Sequence, residues 1–172
     1  MADIKYNLEF FSYWHCGSGL SEGAGVDLLV IRDSDGLPFI PGKTIKGLVR
    51  EAVEELNSLH ATFVDYSSLF GLEGTEKSVC FFMNAVLEEH DAILANRLTD
   101  SLFSGISSTG LDEHGMARNR RIEVVIPCSL EGTVLNVPDE YVEDVKKAFQ
   151  YIKGVGLHRN RGLGRCRITV MD

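Results

Sequence analysis

Two amphipathic stretches sit far apart in this chain, each between segments of extended pattern, and that alternation constrains the fold more than any other feature. In the first, Ile45, Leu48, Val49, Ala52, Val53 and Leu56 recur at intervals of three and four, which predicts a helix over 43–59 with one apolar stripe. Thr44 is placed to cap its start, with Pro41 just outside. In the second, Tyr141, Val145, Ala148, Phe149 and Ile152 form the stripe of a helix over 138–153 that opens on a proline.

The aromatic and β-branched run over 4–13 predicts a strand. A glycine-containing loop over 15–25 and a short apolar strand over 26–31 follow, then a turn at Asp33-Ser34-Asp35-Gly36. Residues 78–87 predict another strand, 91–103 have helical spacing, and 104–115 read as a Gly/Ser loop. Strands are expected over 120–127 and 129–137, with a turn near Glu131-Gly132, and a final strand over 165–170. The order β, helix, β, β, helix, β is that of an α+β, ferredoxin-like or RRM-like split βαβ fold, here with insertions and a C-terminal glycine-rich loop. Such a sheet is antiparallel, carries its helices on one face and leaves the other open. No repeat or low-complexity linker interrupts the chain, so 1–172 is read as a single domain.

At 172 residues, 44% hydrophobic and 24% charged, the chain has the composition of an ordinary globule with a sizeable core. No apolar run approaches a membrane span, and Met1 to Asp3 lead into no secretory signal pattern; a cytoplasmic protein without a membrane partner is expected. Cys16, Cys80, Cys128 and Cys166 form no CxxC pair and are read as free thiols.

A net charge of −8 argues against a sequence-independent nucleic-acid binder. The distribution argues otherwise. Residues 115–121 carry Arg118, Arg120 and Arg121 with no acid, and residues 154–168 carry Arg159, Arg161, Arg165 and Arg167 with none. The stretch from Gly154 to Arg165, which also holds His158, combines glycines that allow close backbone approach with guanidinium forks that match phosphate. It reads as a phosphate cradle or as a long solvated turn. The start of the first helix offers unpaired N–H groups beside Lys43, Thr44 and Lys46, with Arg50 a turn further on.

The block from Asp27 to Arg50, with Pro38-Phe39-Ile40-Pro41-Gly42-Lys43-Thr44-Ile45-Lys46-Gly47 at its centre, resembles the RAMP superfamily of CRISPR-associated proteins, most of all the backbone subunits of type III effector complexes. Lys43 stands where that pattern has a small hydroxyl residue. Ser68-Leu69-Phe70-Gly71, the strand after it and the loop from Gly154 to Arg165 resemble later parts of the same pattern. The resemblance implies a guide-RNA-binding subunit. RNA contacts are expected from Lys43, Thr44, Lys46, Arg50, Arg118, Arg120, Arg121, His158, Arg159, Arg161 and Arg165. The implied partners are guide RNA, complementary target RNA, other effector subunits and further copies of the chain assembled head to tail. Asp27 is implied as the catalytic and metal-holding residue for target cleavage with Mg²⁺ or Mn²⁺; a turn or capping role is its alternative.

The chain is shorter than typical backbone subunits. Residues 88–121, where those proteins carry a thumb-like hairpin, leave room for a short one, on which Met116 and the arginines fit a wedge-and-phosphate role. Two other functions stay open: a guide-processing endoribonuclease using a histidine such as His15 as general acid or base, and a scaffold that binds only protein.

Overall fold

The computed structural model describes residues 1–19, 28–60, 64–71, 78–111 and 114–171. In chain order the elements are β1 (Ala2–Phe10), α1 (Gly42–His60), α2 (Ser67–Phe70), β2 (Phe81–Phe82), β3 (Val86–Leu87), α3 (His90–Ala95), a 3₁₀ turn (Thr99–Leu102), β4 (Phe103–Leu111), β5 (Ala117–Val125), β6 (Ser129–Val137), a second 3₁₀ turn (Asp139–Tyr141), α4 (Val142–Tyr151) and β7 (Cys166–Met171).

Alternation in β1 sets the core. Ile4, Tyr6, Leu8 and Phe10 are buried, while Lys5 and Glu9 between them are exposed. β1 is central, with β6 on one side and β7 on the other, both antiparallel. The sheet order is β2-β6-β1-β7, with β3 also pairing β6. Counting β2 and β3 as one interrupted strand, this is the expected split βαβ arrangement. α1 and α4 pack together on the buried face, where the Tyr6 and Phe149 rings lie 4.6 Å apart. Ile45, Val49 and Val53 of α1 and Val145 and Ala148 of α4 complete that layer. The opposite face is open and carries Lys5, Glu9, Glu131, Arg167 and Thr169.

The elements depart from the sequence pattern where tertiary contacts intervene. β1 ends at Phe10 rather than 13, and Trp14 instead makes an isolated bridge to Val125. The strand expected over 26–31 is reduced, among the described residues, to bridges at Leu28 and Val30. The strand expected over 78–87 splits into β2 and β3, because Ala85 leaves the sheet edge to exchange both backbone bonds with Ile40. Beside it, the Asn84 side chain accepts the Gly42 N–H at 2.9 Å. The helix therefore begins at Gly42 and its first turn is held by Asn84; Thr44 lies inside the helix and is not its cap.

The helical spacing over 91–103 yields only α3 and a 3₁₀ turn, separated at Arg97, whose φ is 55°. The second long helix starts as a 3₁₀ turn and ends at Tyr151. The residues read as a Gly/Ser loop over 104–115 are mostly strand: β4 pairs β5 from Phe103↔Val125 to Leu111↔Ala117. This two-stranded ribbon stands outside the main sheet and runs ~30 Å at the usual rise per residue. Its small polar residues obscured it, since a ribbon with little core to cover needs no apolar alternation.

Glu131-Gly132 is not a turn. It lies within β6, and the connection from β5 is made by residues 126–128. Gly132 is required by its partner in register, Tyr6: a Cβ there would stand 2.2 Å from the Tyr6 hydroxyl oxygen. That hydroxyl is buried with no hydrogen-bond partner among the described residues, and burial pushes its pKa far up. All four cysteines are free, as expected, and Cys16, Cys80 and Cys166 are buried. No described helix is long and apolar enough to cross a membrane.

The Tyr6–Gly132 pair makes a direct test of this packing. Gly132→Ala should cost about 2–3 kcal/mol by overpacking the ring. Tyr6→Phe, which deletes an unbonded hydroxyl, should be neutral or stabilising within about 1 kcal/mol. Urea unfolding of both variants checks this; a destabilised Tyr6→Phe would mean the hydroxyl has a partner in solution.

Candidate nucleic-acid interface

Four parts of the chain meet at the short segment that leaves β1. Trp14 and Val125 exchange both backbone bonds (3.1 and 2.8 Å), fixing the root of the β4–β5 ribbon. Gly164 N–H donates to the Tyr13 carbonyl (2.7 Å) and Leu157 N–H to the His15 carbonyl (2.9 Å), seating the Gly/Arg loop. Ile31 N–H donates to the Cys16 carbonyl (2.8 Å), tying in the chain before α1. Burial raises the Cys16 pKa, opposed by the Thr44 side chain and the charge of Lys43, so the start of α1 lies beside the same junction.

The glycines of the loop serve this junction first. Gly156 (φ 93°) would place a Cβ 2.2 Å from the His15 carbonyl oxygen, and Gly164 (φ 66°) would place one 2.0 Å from that of Val155. Side chains are thus excluded by the protein's own backbone. Gly162, with φ 98°, faces open space. His158, itself at φ 55°, accepts the Arg161 N–H (2.8 Å) to form the exposed tip of the loop.

The charged residues divide into engaged and available groups. The Arg159 guanidinium lies 2.7 Å from both carboxylate oxygens of Glu51 on α1. Arg50 donates to the carbonyls of Phe70 (3.2 Å) and Gly71 (3.4 Å) and lies over the Phe70 ring, so it closes the end of α2. Lys46 is half-buried; burial, with Arg50's charge second, lowers its pKa. Lys43, Arg161 and Arg165 are exposed, and none has an acidic partner among the described residues. Between the loop and α1 runs an open crevice of about 540 Å³, lined by Glu51, Glu55, Tyr151, Arg159, Asn160 and Arg165.

The ribbon arginines are not gathered at this junction. Arg118, Arg120 and Arg121 pair with Gly110, Ser108 and Ser107, four to seven residues beyond Val125, which is ~14–24 Å along the strand. Arg121 lies back across Gly105, and Arg120 is exposed. The Arg118 side chain and the whole of Asp27 lie outside the described residues.

His15 is 2% exposed, and its Nδ1 donates to the Glu123 carbonyl at 2.6 Å. That position suits an anchor of the junction better than a general acid or base meeting a strand of RNA. Glu123 itself escaped sequence reasoning. Its carboxylate accepts the Val30 N–H (2.9 Å) and pairs with Arg32, whose guanidinium stacks 3.7 Å over the Phe103 ring. A glutamate within a strand looks like any solvated residue, and nothing local marks it as a brace.

The family model of the RAMP superfamily matches residues 7–167, nearly the whole chain. The chain belongs to the RAMP superfamily. Among solved structures, a chain of a cryo-EM structure of the Type III-B Cmr-beta bound to cognate target RNA shares its fold, with a TM-score of 0.74 at 11% identity over 99% of this chain and 97% of that one. A chain of the Type III-B Cmr-beta apo-state structure gives 0.71 at 12% identity, with the same coverage. No curated protein matches by sequence.

Glu123→Ala should strand the Val30 N–H and Arg32 together, at a cost of roughly 1–3 kcal/mol. Hydrogen exchange should speed up at Val30 and at the ribbon root. Unchanged stability and protection would remove Glu123 from the junction.

Proposed function

We propose that this chain is a guide-RNA-binding backbone subunit of a type III-like CRISPR effector complex. The observation that carries the proposal is the convergence on residues 13–16 of the Gly/Arg loop, the start of α1 and the root of the ribbon. Lys43, Arg161 and Arg165 offer exposed cations without acidic partners among the described residues, on a protein acidic overall. Membership of the RAMP superfamily and the fold shared with Cmr-beta chains support it. On this reading the protein holds RNA through phosphates and leaves sequence choice to base pairing. The ribbon, with Met116 and Arg118 near its far end and Arg120 and Arg121 along its middle, is the thumb that reaches the guide–target duplex. Copies and other subunits follow one another head to tail along the guide, and the complex works in the cytoplasm.

Arg161→Ala with Arg165→Ala should weaken guide binding across sequences and reduce the salt dependence by about one to two phosphate contacts' worth of slope. Binding measured over a salt series checks this; an unchanged slope would take the loop out of the RNA site. Arg159 is excluded from this pair because it is already committed to Glu51.

Target cleavage belongs to the same proposal and rests on Asp27, which would hold Mg²⁺ or Mn²⁺ against the scissile phosphate. Asp27→Ala should abolish metal-dependent cleavage of a complementary target in the assembled complex and leave guide binding intact. Full cleavage by that variant, or cleavage insensitive to EDTA, would leave a binding subunit only.

A further inference from the structure

We infer that Asp33, Asp35 and His90 form a binding site for one divalent first-row transition cation at the root of the ribbon. The site is independent of the RNA reading and uses none of its residues. The aspartates come from the turn after the chain segment that pairs with β5, and the histidine from the start of α3. Sequence distance gives no hint of their meeting. His90 Nε2 lies 3.5 Å from Asp33 Oδ2 and 3.8 Å from Asp35 Oδ2, and the three ligand atoms lie within 4.8 Å of one another.

These distances exceed those of N–H···O bonds, which cluster at about 2.7–3.2 Å. They suit atoms arranged around a shared ion: ligands about 2.1 Å from a tetrahedral metal stand about 3.4 Å apart. Each ligand is oriented by contacts of its own. Asp33 Oδ1 accepts the N–H groups of Asp35 and Leu37, both at 2.9 Å, which leaves Oδ2 toward the histidine. Asp91 Oδ1 lies 3.2 Å from His90 Nδ1. A carboxylate only accepts, so the neutral imidazole with its proton on Nδ1 bonds Asp91 and turns its Nε2 lone pair toward the two aspartates. This is the carboxylate–histidine pairing that orients metal-ligating imidazoles. In that tautomer three acceptors converge on one point, which a metal ion or a proton on Nε2 would satisfy.

One imidazole nitrogen with two carboxylate oxygens selects Zn²⁺, Co²⁺ or Mn²⁺ over Mg²⁺, which prefers oxygen alone. A proton on His90 is the competing occupant: the bond it donates to Asp91 first, and the nearby Asp33, raise its pKa. A bound ion would tie the turn to α3. That turn is adjacent to Arg32, which stacks on Phe103 of β4 and pairs with Glu123 of β5, and its Gly36 lies against Thr99. The metal would therefore brace the base of the ribbon.

The full chain, stripped with EDTA, is titrated calorimetrically with Zn²⁺, Co²⁺ and Mg²⁺, and its melting temperature is read with and without Zn²⁺. The expected result is a single Zn²⁺ or Co²⁺ per chain, a visible Co²⁺ absorption band, a raised melting temperature and no Mg²⁺ binding at the same concentration. Asp35→Asn and His90→Gln, checked for folding by circular dichroism, should each weaken binding by about tenfold or more and remove the band. Asp33 is left intact because its Oδ1 holds the turn. Equal affinity in both variants would place the ion elsewhere and overturn the site. So would the absence of binding by the wild-type chain, which leaves His90 as an imidazolium paired with its aspartates.

Discussion

The structure hangs on the backbone hydrogen bonds of residues 13–16. Five bonds from this stretch reach the ribbon root, the Gly/Arg loop and the chain before α1, and one imidazole beneath it fastens Glu123. Backbone groups buried at such a crossing must be paired, because each unpaired one costs about as much as a lost hydrogen bond. The crossing is therefore over-determined. The Gly/Arg loop can reach it only through positions that lack a side chain, so its glycines are fixed by the fold before any ligand arrives.

That ordering changes how the loop is understood. Its composition marks a cradle, and the structure shows a cradle for the protein's own backbone, with cations carried on the outside. Of its arginines, Arg159 is spent on Glu51, while Arg161 and Arg165 are exposed and form no ion pair among the described residues. An exposed pair such as Arg159–Glu51 is worth ~1 kcal/mol or less. A polyanion arriving at the crevice beside it would meet little resistance in drawing the arginine away.

The sequence disclosed what periodicity encodes. The two ends of β6 were legible although a turn was expected inside it, α1 was legible to within a residue at each end, and the split βαβ order followed from them. What stayed hidden depended on partners remote in the chain. Asn84 holding the start of α1, Ala85 breaking a strand to reach Ile40, and Gly132 yielding to Tyr6 are each settled by a residue some forty or more positions away. The ribbon was missed for a different reason: Ser, Gly and Thr dominate β4, and a strand with no core to cover carries no hydrophobic code. Of the candidate site, the types of residue were legible but their availability was not, since Arg50 and Arg159 find protein partners that no local pattern announces.

The ribbon's separation from the main sheet has a thermodynamic corollary. A two-stranded hairpin is marginal in water by itself. β4 and β5 are fixed at one end, through Trp14–Val125, Glu123 and the Arg32–Phe103 stack, and lie outside the five-stranded sheet along the rest of their length. The ribbon is then a cooperative unit of its own, with a free energy of opening set by its root and well below that of the core. Any surface that clasps its outer half, whether a duplex or a neighbouring copy, would supply the missing strand-side contacts. Binding there would register as ordering of the whole unit, so occupancy at the far end and rigidity at the junction would rise together.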